Sequence, residues 1–234
     1  MDERLIGKME IVNNIPVSLP DDEIRRKLHI KRDSQWEEAQ PLIATARSLI
    51  AARAVYKVCY IEEKLTDALL IDGVRFTSRV MRKNLDEVER VFPYVITIGD
   101  ELTKKAREFN DILKQYYFDI IGNVALTKAR EHLEQRLRTR YGLNGMSRMS
   151  PGSLNDWPIE QQRPFFSIFD DVEAAIGVKL AKNLLMFPQK SISGIYFPTE
   201  VSFYSCQLCP RERCPGRQAG YDKKLAREYE ILEE

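Results

Sequence analysis

The chain has 234 residues, with 36 Lys+Arg against 35 Asp+Glu, two His and four Cys. A formal net charge of +1 argues against a protein whose affinity comes from neutralising nucleic-acid phosphates, and 44% hydrophobic with 30% charged residues is a globular composition. With only His29 and His132, far apart in sequence, histidine-built metal sites and Ser-His-Asp catalysis are disfavoured.

The amino terminus, Met1 to Lys8, mixes charges of both signs and has no apolar h-region, so no signal peptide is expected. No run approaches the roughly 18 to 20 apolar residues of a membrane span. A cytoplasmic protein is expected, in which closely spaced cysteines point to metal or redox chemistry rather than disulfides.

An extended segment is expected over 9–19 and a short helix after Pro20-Asp21-Asp22. Ser34 and Glu37 have capping-box spacing, which predicts a helix from there to about Ala52. Val55, Lys57, Cys59 and Ile61 begin a β-rich stretch that continues through 69–71 and 74–76, with Asp72-Gly73 as a hairpin signal. A strand is expected over 94–98. From about Asn110 to Arg140, Leu113, Tyr117, Ile120, Val124, Leu133 and Leu137 recur at helical spacing. Arg136, Arg138 and Arg140 complement the helix dipole at a solvated end, Glu131 and Glu134 read as a solvated face, and Gly142 and Gly145 terminate the helix. A short helix around 161–176 buries Phe165, Phe166 and Phe169; Ile192, Ile195 and Phe197 suggest a strand, Val201 to Tyr204 another, and 221–232 a terminal helix. No linker divides the chain. One α+β unit over 1–205 is expected, with a cysteine-bearing extension and terminal helix over 206–234.

There is no Walker A sequence, no G-x-G-x-x-G, no G-x-S-x-G elbow and no H-E-x-x-H. Cys206, Cys209 and Cys214 fall within nine residues, in a loop with Arg211, Arg213 and Arg217. Neighbouring thiolates repel, so a reduced cluster calls for a cation, and an iron–sulfur cluster is favoured over zinc, with unmetallated or disulfide states also open. Cys59 alternates with apolar residues and reads as a core thiol rather than a fourth ligand. The arginines would offset cluster charge.

From Thr97 onward the sequence resembles the activation domain of cobalamin-dependent methionine synthase. The resemblance is carried by Ile96-Thr97-Ile98-Gly99, Ile121-Gly122, Arg148-Met149-Ser150-Pro151-Gly152, Asp156-Trp157-Pro158 and Lys190-Ser191-Ile192-Ser193-Gly194-Ile195-Tyr196-Phe197. It implies a twisted antiparallel sheet flanked by helices, and S-adenosylmethionine bound in a shallow groove. It also implies a role in reactivation, in which cob(II)alamin on another domain is reduced and then methylated. Arg148 and Gly152 match the family's Arg-x-x-x-Gly-Tyr ligand motif, with Ser153 in place of the tyrosine. A guanidinium there suits the methionine carboxylate, and the glycine admits close backbone approach. Thr127 replaces a glutamate on the long helix, and a ligand-contacting tyrosine falls at Tyr204. If Tyr204 lies on a strand, Cys206 is within about 7 Å of it, close enough to deliver an electron to the corrin.

The chain lacks the family's Asp-x-His-x-x-Gly cobalamin motif, so a corrinoid-binding protein must supply cobalamin in trans, with a separate electron donor possible. Competing readings are an iron–sulfur redox partner of a corrinoid protein that has lost S-adenosylmethionine, and a zinc-stabilised docking module. No nucleic-acid or membrane partner is expected.

Overall fold

The computed structural model describes residues 7–214 and 216–229. The amino terminus read above, up to residue 6, lies outside the described residues, as do Pro215 and the last residues of the expected terminal helix. Among the described residues no helix is long and apolar enough to cross a membrane.

The centre of the fold is β6 (Arg90–Thr97). Along one edge runs β10 (Ser191–Pro198), from Ser191 opposite Thr97 to Tyr196 opposite Phe92. The other edge is shared by β2 (Arg53–Tyr56) and β3 (Cys59–Lys64), which pair with β6 in succession. β1 (Glu10–Val12) adds to β2, while β4 (Ala68–Ile71) and β5 (Val74–Thr77) continue from β3. β7 (Met146–Met149) adds to β10, and every pairing in this eight-stranded sheet is antiparallel. Pro93 sits inside the central strand, where a missing N–H would break the ladder. Its position falls at the gap between β2 and β3, where the Lys57 N–H donates to the Pro93 carbonyl at 3.0 Å.

Period-two alternation divides the sheet between two cores. Ala54, Tyr56, Phe92, Tyr94, Ile96 and Tyr196 face the helices α1 (Asp21–Lys27), α2 (Asp33–Ser48) and α5 (Ile112–Tyr141). Val55, Val91, Val95, Ile195 and Phe197 pack with Phe76, Trp157, Phe165 and Ile176 on the opposite face. That second layer includes α3 (Arg79–Asn84), α6 (Gln162–Phe166) and α7 (Val172–Ile176). α4 (Glu101–Arg107) packs on α5, and β8 (Lys179–Leu180) with β9 (Met186–Phe187) forms a separate hairpin.

Several expectations change. α2 starts at Asp33, so Ser34 is inside the helix rather than its cap; Asp33 is held by Arg25 at 2.7 Å and complements the first-turn dipole. The helix stops at Ser48 because the Ala51 N–H is drawn to the Ile98 carbonyl at 2.9 Å. α5 is capped by Asp111 and ends at Gly142 in the left-handed conformation, as the glycine requires. Its buried stripe runs through Phe118, Ile121, Ala125, Ala129, Leu133 and Leu137; Leu113 is 56% exposed, since the first turn projects beyond the core. Gly145 does not end the helix but lies under Thr199, whose carbonyl a Cβ would meet at 2.2 Å. Arg140 is not simply solvated, because it binds Glu10 and the Tyr56 hydroxyl and ties α5 to β1. The expected helix over 161–176 is broken between α6 and α7, where Asp171 caps the second piece. Val201 to Tyr204 form no strand, for the Phe203 N–H goes to the Ser147 hydroxyl at 2.7 Å rather than to a backbone partner.

The cysteine-bearing extension folds back on the body. It passes through a 3₁₀ turn, Ser205–Leu208, to α8 (Lys223–Glu228), whose end reaches α3 through Tyr229 to Asn84 at 3.2 Å.

Lys57, at the gap between β2 and β3, is 5% exposed. Its ammonium binds Asp72 at 2.7 Å and the Ile168 carbonyl at 2.9 Å. Asp72→Asn keeps a residue that tolerates the left-handed turn but removes the charge partner. Because Asp72 is partly exposed, the expected loss in urea denaturation is about 2 kcal/mol. Adding Lys57→Met should recover at least half of that; no recovery would show that the pair is not what holds the turn.

Candidate functional site

The Ser-x-Ser-Gly segment of β10 shapes a crossing. The Ser191 hydroxyl lies 2.7 Å from the Pro188 carbonyl and 3.0 Å from Thr97 Oγ1, which in turn accepts the Gly99 N–H at 3.1 Å. Ser193 accepts a hydrogen bond from the buried Gln162 amide at 2.6 Å. At Gly194 a Cβ would lie 2.5 Å from the Met149 carbonyl and 2.6 Å from Ser150 Oγ, so the end of β7 passes directly over bare backbone. At Gly122 of α5 a Cβ would come within 2.9 Å of the Leu102 side chain and 3.1 Å of the Lys190 side chain, which pack onto bare helix backbone.

That crossing sets Arg148. It lies opposite Tyr196 in register and therefore shares that residue's face, toward α5. One guanidinium nitrogen, Nη1, is 3.7 Å from Glu134 Oε2, with the two side chains 19% and 25% exposed. The other, Nη2, donates to the Gln218 side-chain carbonyl. The Tyr94 and Tyr196 rings stack at 4.3 Å and are buried. Burial pushes both phenols up, Tyr196 strongly, while Arg148 and Arg130 oppose the shift and Glu134 adds to it. The Tyr196 hydroxyl donates to the Arg130 carbonyl at 3.1 Å, and Arg130 Nε is buried with no hydrogen-bond partner.

Beyond Arg148 the chain turns. Gly152 has φ +79 and its N–H donates to the Trp157 carbonyl at 2.7 Å; Ile159 packs where a side chain would stand, 2.9 Å from a Cβ. Gly152 thus makes room for Ile159. Asp156 caps α3, accepting the Arg79 and Val80 N–H groups and the Ser78 hydroxyl, and Trp157 is fully buried against Phe76. The Asp-Trp-Pro part of the motif therefore serves the fold. Beside the turn a cleft of about 490 Å³ is lined by Ser150, Pro151, Ile159, Phe187 and Ser193.

The extension meets this turn at two points. Ser153 Oγ is 3.4 Å from Ser205 Oγ, and Gln218 binds Arg148. Tyr204, 37% exposed, directly precedes the 3₁₀ turn, and its N–H donates to Gln207 Oε1 at 2.8 Å. Arg148 and Ser153 therefore meet the segment carrying Ser205 and Gln218, which folds back rather than running along the expected strand.

Cys206, Cys209 and Cys214 are free and partly exposed. Among the described residues no group of three or more His, Cys, Asp or Glu side chains gathers in a way that could hold a metal ion. The segment is organised instead by Arg217, whose guanidinium reaches the carbonyls of Cys206, Cys209, Arg211 and Ala219. Cys206 Sγ accepts the Gln218 N–H at 3.4 Å. Cys59 is buried in the core, where desolvation, with Asp72 nearby, pushes its thiol up to about 12.

Sequence reasoning passed over Glu134 and Gln218. Thr127 bonds back to the Asn123 carbonyl at 3.0 Å within its own helix. Glu134 lies seven residues further on, two turns along the same helix face, which is where a carboxylate lost at 127 could have been sought. Gln218 carried no such signal, because only the fold-back brings it to Arg148.

No family model and no curated protein matches the chain. Among solved structures, the crystal structure of the MetH reactivation domain bound to AdoHcy is similar, with a TM-score of 0.53 and 15% identity over 84% of this chain and 80% of that one. The likeness establishes the fold as that of the methionine synthase activation domain, a twisted antiparallel sheet flanked by helices.

Gly194→Ala should lower stability by about 2 to 3 kcal/mol, since the nearest atom is the backbone carbonyl of Met149 at the end of the crossing strand. An unchanged thermal midpoint would contradict the close approach. Cys59 makes a second test. Its folded pKa of about 12 exceeds the ordinary thiol value of about 9, so the stability it contributes is complete below pH 9 and declines as pH rises toward 12. Unfolding free energy should fall over that range in the wild type and fall less in Cys59→Val; equal slopes would refute the assignment.

Proposed function

We propose that the protein binds S-adenosylmethionine and acts in the reductive reactivation of a corrinoid protein belonging to a methionine synthase or related methyltransferase system. The observation that carries this reading is Arg148. On the fold of a domain solved with S-adenosylhomocysteine, the motif arginine stands largely buried beside Glu134, above two neutral phenols, with the buried Arg130 Nε unpartnered. Two guanidinium groups against one carboxylate leave this corner short of negative charge, which suits the carboxylate of a methionine-derived ligand.

In this reading the cobalamin comes on a partner protein and the electron from a separate donor. Reduced by that donor, the partner's cobalamin would supply the nucleophile that accepts the sulfonium methyl group, with S-adenosylhomocysteine as the product left on this chain. The chain's own part is to hold the ligand by Arg148, with the turn at Gly152 and Tyr204 flanking it.

The Cys206 thiol, which adjoins Arg148 through Gln218, supports a second reading, a redox partner on the same fold. The described side chains do not form a ligand set for an iron–sulfur cluster or zinc.

Calorimetry with S-adenosylhomocysteine tests the first reading. Wild type should bind, and Arg148→Ala should lose at least tenfold in affinity, equivalent to about 1.4 kcal/mol. Absence of binding by the wild type, together with stoichiometric iron and sulfide in anaerobically purified protein, would favour the redox reading instead.

A further inference from the structure

Arg148 is occupied by a neutral group. Its Nη2 donates to the Gln218 amide oxygen, and its Nη1 stands 3.7 Å from Glu134, too far for a direct hydrogen bond. A largely buried guanidinium gains about twice as much from an ionised acceptor as from a neutral one. The amide oxygen of Gln218 therefore stands where a carboxylate oxygen would be held more strongly. Glu134, loosely paired, faces the same space and carries the charge that an ammonium group seeks.

We propose that Gln218 is a place-holder on Arg148, displaced when the carboxylate of an α-amino-acid moiety arrives, and that Glu134 accepts the ammonium of the same moiety. The inference rests on the reading of Arg148 given above and adds two specificity-determining residues to it. The cysteine-bearing segment is then a strap across the subsite. Its backbone is held by the Arg217 guanidinium on four carbonyls, and Gln218 joins it to Arg148 by its side chain and to Cys206 Sγ by its N–H. Lifting Gln218 breaks those two contacts and leaves the Arg217 contacts in place, so the Cys206 thiol loses its donor as the ligand enters. Selectivity follows from charge: a ligand with both a carboxylate and an ammonium displaces the amide, whereas an adenosine thioether without them leaves Gln218 in place.

The test compares two ligands by calorimetry on the full chain. S-adenosylhomocysteine carries the amino-acid end, and 5′-methylthioadenosine keeps the adenosine and thioether without it. Wild type should prefer the first by at least tenfold, as expected when charged hydrogen-bonding groups go unmatched. Glu134→Gln, nearly isosteric, should cut that preference about fivefold or more while leaving 5′-methylthioadenosine binding unchanged. Gln218→Ala should bind S-adenosylhomocysteine several-fold more tightly, and alkylation of Cys206 by iodoacetamide should be faster both in this variant and in wild type saturated with ligand. Equal binding of the two ligands by wild type would remove the amino-acid subsite while leaving an adenosyl site standing. A preference untouched by Glu134→Gln, or Cys206 alkylation unaffected by bound S-adenosylhomocysteine, would overturn the roles of Glu134 and Gln218 without disturbing Arg148. Binding of neither ligand, even by Gln218→Ala, would remove the site reading itself and this inference with it.

Discussion

The region around Arg148 depends on one close approach, the passage of the Met149 carbonyl and the Ser150 side chain over Gly194. With any side chain there the end of β7 would be lifted from β10. Arg148 would then lose its place opposite Tyr196, and the turn that buries Trp157 would start from the wrong height. The same turn closes α3 through Asp156 and leads into the layer that covers the second face of the sheet. A single glycine contact thus couples the geometry of the candidate ligand group to the assembly of a core.

Much of the architecture was readable from pattern. The long helix announced itself by recurrence of apolar residues, and the Asp72-Gly73 hairpin by its need for two left-handed residues, φ 53 and 73. The misreadings have a common cause in partners that are distant in sequence. Val201 and Phe203 alternate like a strand, yet the Phe203 N–H is taken by a side chain. Ser34 has the spacing of a cap, yet the entry to α2 is set by Arg25 from the preceding helix. Pro93 inside the central strand is tolerated only because two separate strands share that edge, a feature no local signal conveys.

The site divides in the same way. Arg148 and Gly152 stand out as a motif; Gly152 also makes room for Ile159, and Ser193 of the Ser-x-Ser-Gly segment both binds Gln162 and lines the cleft beside the turn. The cysteines drew attention for their spacing, and metal chemistry was the natural inference from thiolate repulsion. Among the described residues the segment wraps around Arg217, a cation supplied by its own sequence. Glu134 looked like part of a solvated helix face, because its charge partner comes from a strand added later to the sheet edge.

These observations converge on one account, in which a methionine synthase activation-domain fold presents Arg148 to a methionine-derived ligand under a strap built from the cysteine segment. A crystal structure of the full chain with S-adenosylhomocysteine tests it most directly. The account predicts the ligand's carboxylate on the Arg148 guanidinium, with Gln218 moved off it. Ligand bound elsewhere, with the Arg148–Gln218 contact intact, would contradict it.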